Sequence, residues 1–516
     1  MPLRRSSWSL GVVIACIGAA IVVVFASLPA SAHTFTSGGV VFHEKFTPGK
    51  VDIVGAPPAS ASRGWTVFLS KASASDAEAV AKYLRGFGLT ATVLRHDKSV
   101  YVYGTNAQAA AAGHTSFETL KVKDQTFVRT THDPVFPPQI ARLIAATSMS
   151  PGPRMEPMNV RPLATVWGPQ SGYAPSDFAG IYDINPVYAA GVTGLGETVD
   201  IAACNDIQQS DIDLYAATYG LPDTQINVIP VDGPRDGFFD IEPTLDVERV
   251  LSTAPNAAIN LYVVPDCTFS EFADMINQMA NDDNAVSAST SYGQFESVYG
   301  RYGYGAALLA QHAALQAFVA DDGKPFFAAS GDGGSWCDSI FCPYYENFTD
   351  VEYPASDSYV IAVGGTTVEE SVIGSRLIEN GWGESGGGVS GVFTLPTWQV
   401  GYPGLVSGLF KNIPDVAWDA DPNTGAAESY FGEIFPIGGT SVSSPSFAAT
   451  LALIDQNRAL HGHAQLTNVG SALYANHRDF YDVIGGANGY YAAGPGYDAV
   501  TGIGTPDVWK LVKSLQ

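Results

Sequence analysis

The sequence is short of positive charge. Its 516 residues include 26 Lys and Arg against 51 Asp and Glu, which gives a net charge of −25 at neutral pH. Residues 162–516 contain 10 Lys and Arg against 42 acids, whereas residues 33–150 contain 12 against 8. An acidic body repels a phosphate backbone, so nucleic acid is excluded as a partner. The opposite charges of the two regions predict that they dock electrostatically.

Long apolar runs are absent after the N-terminus. The one run long enough to cross a membrane extends from residue 10 to 28, follows Arg4 and Arg5, and ends at Ala30-Ser31-Ala32. This pattern predicts a signal peptide over residues 1–32, cleaved after Ala32. Retention of the run as an anchor is the alternative. We therefore expect a secreted, extracellular protein with no membrane contact once the signal is removed.

Cysteine is also scarce. Of five Cys, Cys16 leaves with the predicted signal, and Cys204, Cys267, Cys337 and Cys342 remain. An even number in an exported protein favours two disulfides. Cys337 and Cys342 would close a short loop. Cys204 and Cys267 each follow a strand-like apolar run, and neighbouring parallel strands would bring their ends together, so we predict the pairs Cys204–Cys267 and Cys337–Cys342.

The composition that remains, 46% hydrophobic and 15% charged, suits a large globular core. A small domain comes first. Alternating patterns predict strands at 65–70, 91–95, 99–103, 117–122 and 126–130, with helices at 75–86 and 107–112. This βαββαβ order predicts a ferredoxin-like α+β core over about residues 62–132. Residues 149–161 carry three Pro and three Met without a period, and predict an exposed linker.

From about Tyr173 onward, apolar strand patterns alternate with helical ones. Such alternation predicts an α/β fold with a mostly parallel sheet and helices on both faces. Ligands of these sheets bind beyond the carboxyl ends of the strands, so we expect the functional residues there.

A serine occupies a favourable position in this region. Gly439-Thr440-Ser441 precedes Pro445 and an Ala-rich apolar run, which predicts a helix that begins at the serine. The start of a helix favours negative charge and therefore suits a nucleophile that forms an oxyanion beside itself. The alternative is a plain helix cap.

Histidine, the usual base for such a serine, is lacking where it is needed. The acidic region contains His312, His461, His463 and His477, and none follows a predicted strand. Each is predicted to be structural or exposed to solvent.

Carboxylates are better placed. Glu242 and Asp246 lie four residues apart on one predicted helix face, and Asp332 follows the strand pattern 326–329 between two glycines. Two acids in one site can split their pKa values and work as acid and base. The alternatives are a solvated helix face and an ordinary turn Asp.

In this order and spacing, Glu242…Asp246, Ser330-Gly331-Asp332 and Gly439-Thr440-Ser441…Pro445 resemble the sedolisins, the serine-carboxyl peptidases, particularly the kumamolisin-like members. The resemblance covers about residues 62–516 and implies a subtilisin-like fold. It implies that Ser441 is the nucleophile and Glu242 the general base. Asp246 would orient Glu242 and hold a shared proton, and Asp332 would donate to the oxyanion.

This chain departs from some members at two places. Ala203-Cys204-Asn205 stands where a further Glu extends the acid network, and Tyr292 stands where some members have Trp. Both departures bear on the tuning of Glu242, while the catalytic set itself is complete.

The resemblance also implies a precursor. Residues 33–150 would be an inhibitory propeptide, 151–165 an activation linker, and 166–516 the catalytic domain, a monomer that acts on peptides and proteins. The chemistry needs a protonated Asp332, so we expect an optimum at about pH 3–5. Endopeptidase and tripeptidyl-peptidase activity both stay open. An inactive relative acting as a secreted binding or surface protein is the alternative.

A metal site is predicted near the C-terminus. Asp482 and Asp498, with the carbonyls of Val483, Gly494 and Gly496, form an all-oxygen set that suits a hard cation. The resemblance implies that this cation is Ca²⁺.

Overall fold

The computed structural model describes residues 35–37, 40–42, 50–158, 161–162, 171–223, 226–234, 237, 239–321, 323–337, 339, 341–342, 349–371 and 374–516. The predicted signal peptide lies outside these residues. No helix in these ranges combines the length and apolar character that crossing a bilayer requires.

The first part of the chain is an α+β unit. Its elements are β1 (Phe35–Ser37), β2 (Val40–Phe42), β3 (Asp52–Gly55), β4 (Ser62–Leu69), α1 (Ala74–Arg85), β5 (Thr90–Val93), β6 (Ser99–Thr105), α2 (Asn106–Ala112), β7 (Phe117–Val122), β8 (Gln125–Thr130), α3 (Pro138–Ala141) and β9 (Ile144–Thr147). The order β5-β6-β4-β9 across one antiparallel sheet is that of a ferredoxin-like core. Side chains at Ser73 and Thr105 cap α1 and α2.

The predicted end of this core near residue 132 was wrong. β3, β7 and β8 form a separate sheet in that order, and β9 supplies the fourth strand beside β4. The sequence of β9, Ile-Ala-Ala-Thr, has little of the alternation and β-branching that mark a strand.

The second part of the chain contains one larger sheet and several smaller ones. The strands and helices given next belong to this part as a whole. Its strands are β10 (Glu156–Pro157), β11 (Arg161–Pro162), β12 (Thr198–Ala203), β13 (Ile226–Pro230), β14 (Ala258–Val263), β15 (Ser287–Thr290), β16 (Tyr292–Phe295), β17 (Phe326–Ala329), β18 (Glu352–Tyr353), β19 (Val360–Glu370), β20 (Arg376–Gly381), β21 (Gly388–Thr394), β22 (Phe410–Ile413), β23 (Val416–Asp419), β24 (Ala426–Tyr430), β25 (Glu433–Gly438), β26 (Phe480–Tyr481) and β27 (Thr505–Pro506). Its helices are α4 (Pro175–Ile181), α5 (Asn185–Ala189), α6 (Gln209–Tyr219), α7 (Ile241–Thr253), α8 (Phe269–Asp282), α9 (Glu296–Tyr302), α10 (Gly305–Gln316), α11 (Thr440–Leu460), α12 (Val469–Ala475) and α13 (Val508–Ser514).

The order of the main sheet is β13-β14-β12-β15-β17-β19-β20, with β23 also paired to β19. All of its pairings are parallel except β19 with β20. The central strands are buried on both sides, as the apolar runs in the sequence predict. This is a subtilisin-like α/β fold, in agreement with the sequence.

The two parts meet along α8 and α10, which pack against the first sheet. The side chains of Phe68, Leu120 and Phe127 belong to the N-terminal part of the chain but pack in the hydrophobic core of the second part. The predicted charge contact is also present, since Arg95 Nη2 lies 2.9 Å from Asp283 Oδ2. The docking therefore combines apolar burial with ion pairing.

The prediction of an exposed linker was wrong for the described part of residues 149–161. Met155 and Met158 are only 2% and 3% exposed. The backbone of this segment is used as well, because β10 adds antiparallel to β16 and β11 adds to β25. Although its Pro and Gly content is typical of an exposed linker, this segment is partly buried and pairs with strands of the second part of the chain.

Candidate active site

Ser441 lies in the first turn of α11, where β25 ends. Gly439 precedes the helix with φ 124°, a conformation that favours glycine. A Cβ at Gly439 would lie 2.6 Å from Asp332 Oδ2 and 3.8 Å from the Ser441 nitrogen. The missing side chain therefore leaves room beside both the predicted nucleophile and the predicted oxyanion donor.

The two acids of α7 are held by a capped helix start. The Asp240 side chain accepts from the Ile241 nitrogen at 2.7 Å, and Asn205 Nδ2 donates to Asp240 Oδ2 at 2.7 Å. This cap places Glu242 in the first turn and Asp246 one turn later. They are 1% and 0% exposed, so the alternative of a solvated helix face was wrong.

Burial sets the protonation of the pair. Burial and then the Asp246 carboxylate raise the pKa of Glu242 well above its usual range, while the adjacent Ser441 hydroxyl opposes this shift. Burial raises the pKa of Asp246 to about 8, against a hydrogen bond from Ser291. Because two buried acids in one site repel each other when both are ionised, the pair loses its two protons in separate steps.

Sequence reasoning missed Ser291. Its hydroxyl donates to Asp246 Oδ1 at 2.6 Å, at the carboxyl end of β15. Asp246 Oδ2 has no hydrogen-bond donor among the described residues. This leaves Oδ2 as the oxygen that carries the proton when Asp246 is neutral.

Tyr292 follows Ser291 directly at the start of β16. It is 1% exposed, and burial followed by the charges of Glu242, Asp240 and Asp246 raises its pKa well above the usual range. Tyr292 therefore lies within the electrostatic environment of the acid pair.

Asp332 is fixed to the start of α11. Its Oδ1 accepts from the Thr440 nitrogen at 2.7 Å and from Thr440 Oγ1 at 2.8 Å. Asp332 is 2% exposed. The charge of Asp332 also raises the pKa of Glu242, which places it in the same electrostatic site. The structure thus gathers all four predicted catalytic residues at one edge of the sheet.

The histidines make other contacts. His312 Nδ1 lies 2.8 Å from Asp357 Oδ2, and His461 and His477 contact the main-chain carbonyls of Asn457 and Tyr474. Within the described residues, none of these hydrogen bonds involves the four predicted catalytic residues.

Both predicted disulfide pairs lie together. Cys204, after β12, is bonded to Cys267, after the neighbouring β14, with 5.1 Å between their Cα atoms. Cys337 is bonded to Cys342 with a Cα separation of 5.9 Å.

The predicted metal ligands also share one loop cluster. The Gly496 nitrogen donates to both oxygens of Asp482 at 3.1–3.2 Å, and the Gly494 nitrogen donates to Asp498 Oδ2 at 3.0 Å. Asp498 Oδ1 also accepts from the nitrogens of Val500 and Thr501. The described residues contain no cluster of three or more His, Cys, Asp or Glu suited to a metal. The donor set of the loop, two carboxylates plus carbonyls, is of the kind that fits a hard cation.

A serine surrounded by carboxyl groups at the edge of a subtilisin-like sheet is the arrangement that defines the serine-carboxyl peptidases as a class. The model of the subtilase family matches residues 242–469. The chain is 31% identical to kumamolisin of Bacillus sp. (strain MN-32), over 67% of this chain and 64% of the relative. It is 28% identical to sedolisin of Pseudomonas sp. (strain 101), over 67% and 61%. The chain belongs to the sedolisin family.

Two further comparisons agree. Tripeptidyl-peptidase 1 of Rattus norvegicus is 28% identical over 71% of this chain and 68% of the relative. The solved structure of Pseudomonas sedolisin, a serine-carboxyl proteinase complexed with pseudo-iodotyrostatin, superposes with a TM-score of 0.58 at 28% identity, covering 66% of this chain and 97% of that one. The chain spans less than two thirds of the length of kumamolisin and of sedolisin.

Proposed function

We propose that this protein is a secreted serine-carboxyl peptidase, made as an inactive precursor, that hydrolyses peptide bonds in acid. The observation that carries the proposal is the convergence of Ser441, Glu242, Asp246 and Asp332 at the carboxyl edge of the sheet, each at most 2% exposed. The sequence relatives named as peptidases support it.

Hydrolysis proceeds through an acyl-enzyme. The Ser441 hydroxyl attacks the carbonyl carbon of the substrate and passes its proton to the Glu242 carboxylate. The oxygen of the tetrahedral intermediate takes a hydrogen bond from protonated Asp332. Collapse breaks the C–N bond, and the leaving amine takes the proton from Glu242. Water then attacks the acyl group, with Glu242 again accepting a proton, and releases Ser441.

The role of Asp246 follows from the shared proton. In this mechanism Asp246 stays neutral, so that the negative charge of the pair is on Glu242, the carboxylate beside the Ser441 hydroxyl. Activity needs this proton and the one on Asp332, so it is lost as pH rises and both carboxyls ionise. We expect a bell-shaped pH profile with its peak below pH 7. A peak on the alkaline side would overturn the proposed roles of both acids.

The precursor proposal rests on the course of the linker. β10 lies along β16 beside Ser291, and β11 lies along β25, three residues before Ser441. A chain in that place excludes other peptides from the cleft. Residues 33–150 are then the inhibitory propeptide, 151–165 the activation segment, and 166–516 the monomeric catalytic domain.

The same segment favours endopeptidase over tripeptidyl-peptidase action. Main-chain contacts with the large domain extend over residues 154–158, from the bridge of Arg154 with Thr268 to the hydrogen bond of Met158 with Ser291. A tripeptidyl peptidase needs the cleft closed after three residues, whereas these contacts extend over five.

Calcium completes the proposal. Asp482, Asp498 and the carbonyls of Val483, Gly494 and Gly496 would hold the ion, which supplies positive charge that ties two loops together. The ion takes no part in the reaction at Ser441.

The test is a digest of a mixed peptide library by the purified full chain at about pH 4 and about pH 7. We expect new peptide ends in acid only. Ser441→Ala and Glu242→Gln should each lower the rate by at least roughly 10³-fold. Asp213→Asn, an exposed acid on α6, is the matched control and should digest like the natural chain. An acid digest that yields no new ends would favour the inactive binding relative.

A further inference from the structure

The hairpin that leads into Ser441 has an unusual residue in its turn. Tyr430 at the end of β24 pairs with Glu433 at the start of β25, so Phe431 and Gly432 form a two-residue loop. Both loop residues have positive φ, 51° and 78°. This is the pattern of a type I′ turn, whose first position is normally Asn, Asp or Gly because a bulky side chain is strained there. Phe431 therefore occupies this position at a cost in stability.

The turn is nevertheless held firmly. Asp211 on α6 is only 1% exposed, and its two carboxylate oxygens accept from the nitrogens of Phe431 and Gly432, both at 3.0 Å. Phe431 itself is 66% exposed. A single exposed aromatic side chain is ordinary on a protein surface. A strained backbone that is fixed so as to expose one indicates a function for the ring.

Two further aromatic residues lie beside Phe431. The ring centroids of Tyr430 and Phe431 are 4.4 Å apart. Tyr430 Oη donates to the carbonyl of Phe239 at 3.4 Å, and Phe239 is 37% exposed. We call Phe239, Tyr430 and Phe431 the aromatic patch. Because Phe239 directly precedes Asp240, the cap of α7, the patch joins the start of the helix that carries Glu242 to the hairpin that leads into Ser441.

The strand pairing of β25 leads towards this patch. Arg161 lies opposite Gly438 and Pro162 opposite Ile437, in antiparallel register, so β11 runs away from Ser441 and towards the turn. A substrate that takes the place of β11 and stays extended comes opposite Glu433 five residues after the residue opposite Gly438. That is a distance of about 17 Å along the strand. The turn with Phe431 follows directly.

The direction of the chain tells which side of a substrate reaches the turn. β10 precedes β11 in the chain and lies along β16, next to Ser291. A substrate that runs in the same direction therefore places its later residues along β25. These are the residues on the amine side of the bond that is cut.

We infer that the aromatic patch binds a large apolar or aromatic side chain of a polypeptide substrate, several residues beyond the cut on the amine side. The inference rests on the proposed peptidase function. This contact lies far from the reacting bond and is the same in the ground state and the transition state, so it lowers KM and leaves kcat unchanged. The patch therefore makes the protein favour long polypeptides over short peptides.

The first experiment measures kcat and KM in acid for peptides that share one sequence around the cut. The residues after the cut are Gly and Ser, with a single Phe placed at successive positions. We expect KM to fall by roughly 3–10-fold, the range of an aromatic contact, when the Phe stands about five to eight residues after the cut. Phe431→Trp should keep this dependence, and Phe431→Ala should abolish it.

Leu195→Ala is the matched control for that experiment. Leu195 is 65% exposed in the loop that precedes β12, and its loss should leave the dependence on the position of the Phe intact. A KM of the natural chain that is the same for every position of the Phe would overturn the inference. So would a dependence that Phe431→Ala retains.

The second experiment separates binding from structure. Phe431→Asn supplies a residue that the turn prefers, so in the Ser441→Ala chain it should unfold at the same urea concentration as its parent or a higher one. Phe431→Ala, which keeps the strain and lacks the ring, should unfold at a lower concentration than Phe431→Asn. With Ser441 present, Phe431→Asn should lose the dependence of KM on the Phe position. If Phe431→Asn is instead less stable than its parent, the ring serves the fold and the inference is wrong.

The two proposals fail in different ways. If the chain hydrolyses no peptide under any condition, the proposed function falls. If it hydrolyses peptides with a KM that ignores the distant Phe, only the assignment of the aromatic patch falls.

Discussion

At the scale of single residues, Ser291 shows how one hydroxyl can fix the position of a proton. Neutral Asp246 has one carbonyl oxygen and one hydroxyl oxygen, which exchange roles when the proton moves. Because Ser291 donates to Oδ1, the carbonyl oxygen is fixed there and the proton is kept on Oδ2. The proton of Asp246 is therefore held in one position relative to Glu242.

We expect Ser291→Ala to lower kcat by about 10-fold with little change in KM. The main-chain contact of Ser291 is retained, because its carbonyl, which accepts from the Met158 nitrogen, is unchanged. The Ser291 hydrogen bond lowers the pKa of Asp246, so its loss raises that pKa and moves the alkaline limb of the pH profile to higher pH. Steady-state kinetics across the pH range measure both effects.

Ser289→Ala is the matched control. Ser289 is buried on β15, two residues before Ser291, and its hydroxyl lies 2.8 Å from that of Ser444 rather than on Asp246. A Ser291→Ala profile that matches the control would remove Ser291 from the proposed mechanism. Ser291→Thr keeps a hydroxyl and should restore much of kcat.

The sequence could predict Ser441, Glu242, Asp246 and Asp332 because each stands in a spaced motif beside a helix or strand pattern. The structure brings these four together, and their catalytic roles stay a prediction. Ser291 and Thr440 could not be predicted, since single hydroxyls are common and their partners lie far along the chain.

At the scale of elements, the contact between α8 and the first sheet contains a second acid pair. Asp274 on α8 and Asp232 after β13 lie close enough that each affects the pKa of the other. Ser148 Oγ donates to Asp274 Oδ1 at 2.8 Å, and Tyr101 Oη donates to Asp232 Oδ1 at 2.6 Å. Both of these hydroxyls come from the N-terminal part, so docking encloses the pair.

Burial raises the pKa of Asp232, and burial together with Asp232 raises that of Asp274 well above its usual range. A carboxyl whose pKa is raised on docking stabilises the docked state below its free pKa of about 4. That stabilisation is lost as pH rises through the docked pKa. Glu271 and Arg63 also lie beside this pair, and burial raises the pKa of Glu271 to about 7 and lowers that of Arg63 to about 10.

Asp283 behaves in the opposite sense. Although burial opposes the shift, Lys324 and Arg95 lower its pKa. Its ion pair with Arg95 weakens as pH falls towards that lowered pKa. Acid therefore loosens one contact between the two parts of the chain and tightens another. We expect that acidification alone does not separate them and that separation needs a cut in the linker.

We expect Asp274→Asn in the Ser441→Ala precursor to flatten the dependence of stability on pH between about pH 5 and 8. An amide can donate to Asp232 without an added proton, so the variant gains relative stability at neutral pH, by about 1–3 kcal/mol. Urea unfolding at a series of pH values measures this. Ser441→Ala with Asp213→Asn controls for the loss of one acid, and parallel curves for the two variants would contradict the shared proton.

Element by element, apolar periodicity was enough to predict α7, α8 and the central strands. It could not predict β9, which has two Ala in four residues, or β10, whose strand exists only because β16 lies beside it. Pairing between distant segments is a tertiary effect that local pattern does not contain.

At the scale of the whole molecule, the loop cluster of Asp482 and Asp498 ties the C-terminal loops together. If calcium binds there, a chelator should lower the melting temperature by several degrees, because a ligand bound only by the folded state stabilises it. Asp482→Asn should melt at the chelated value with or without added calcium. Differential scanning calorimetry measures both, with Asp213→Asn as control. An unchanged melt after chelation would count against the site.

The three-stranded sheet β10-β16-β18 has a consequence for substrates. Once the linker is cut and leaves, β16 is an open edge that accepts any backbone able to lie straight beside it, whatever fold that backbone came from. A native globular protein keeps such stretches paired internally and presents none. Acid unfolds many proteins by protonating their paired carboxylates. Under the proposed function, the acid that protonates the active site would therefore also unfold the protein's substrates.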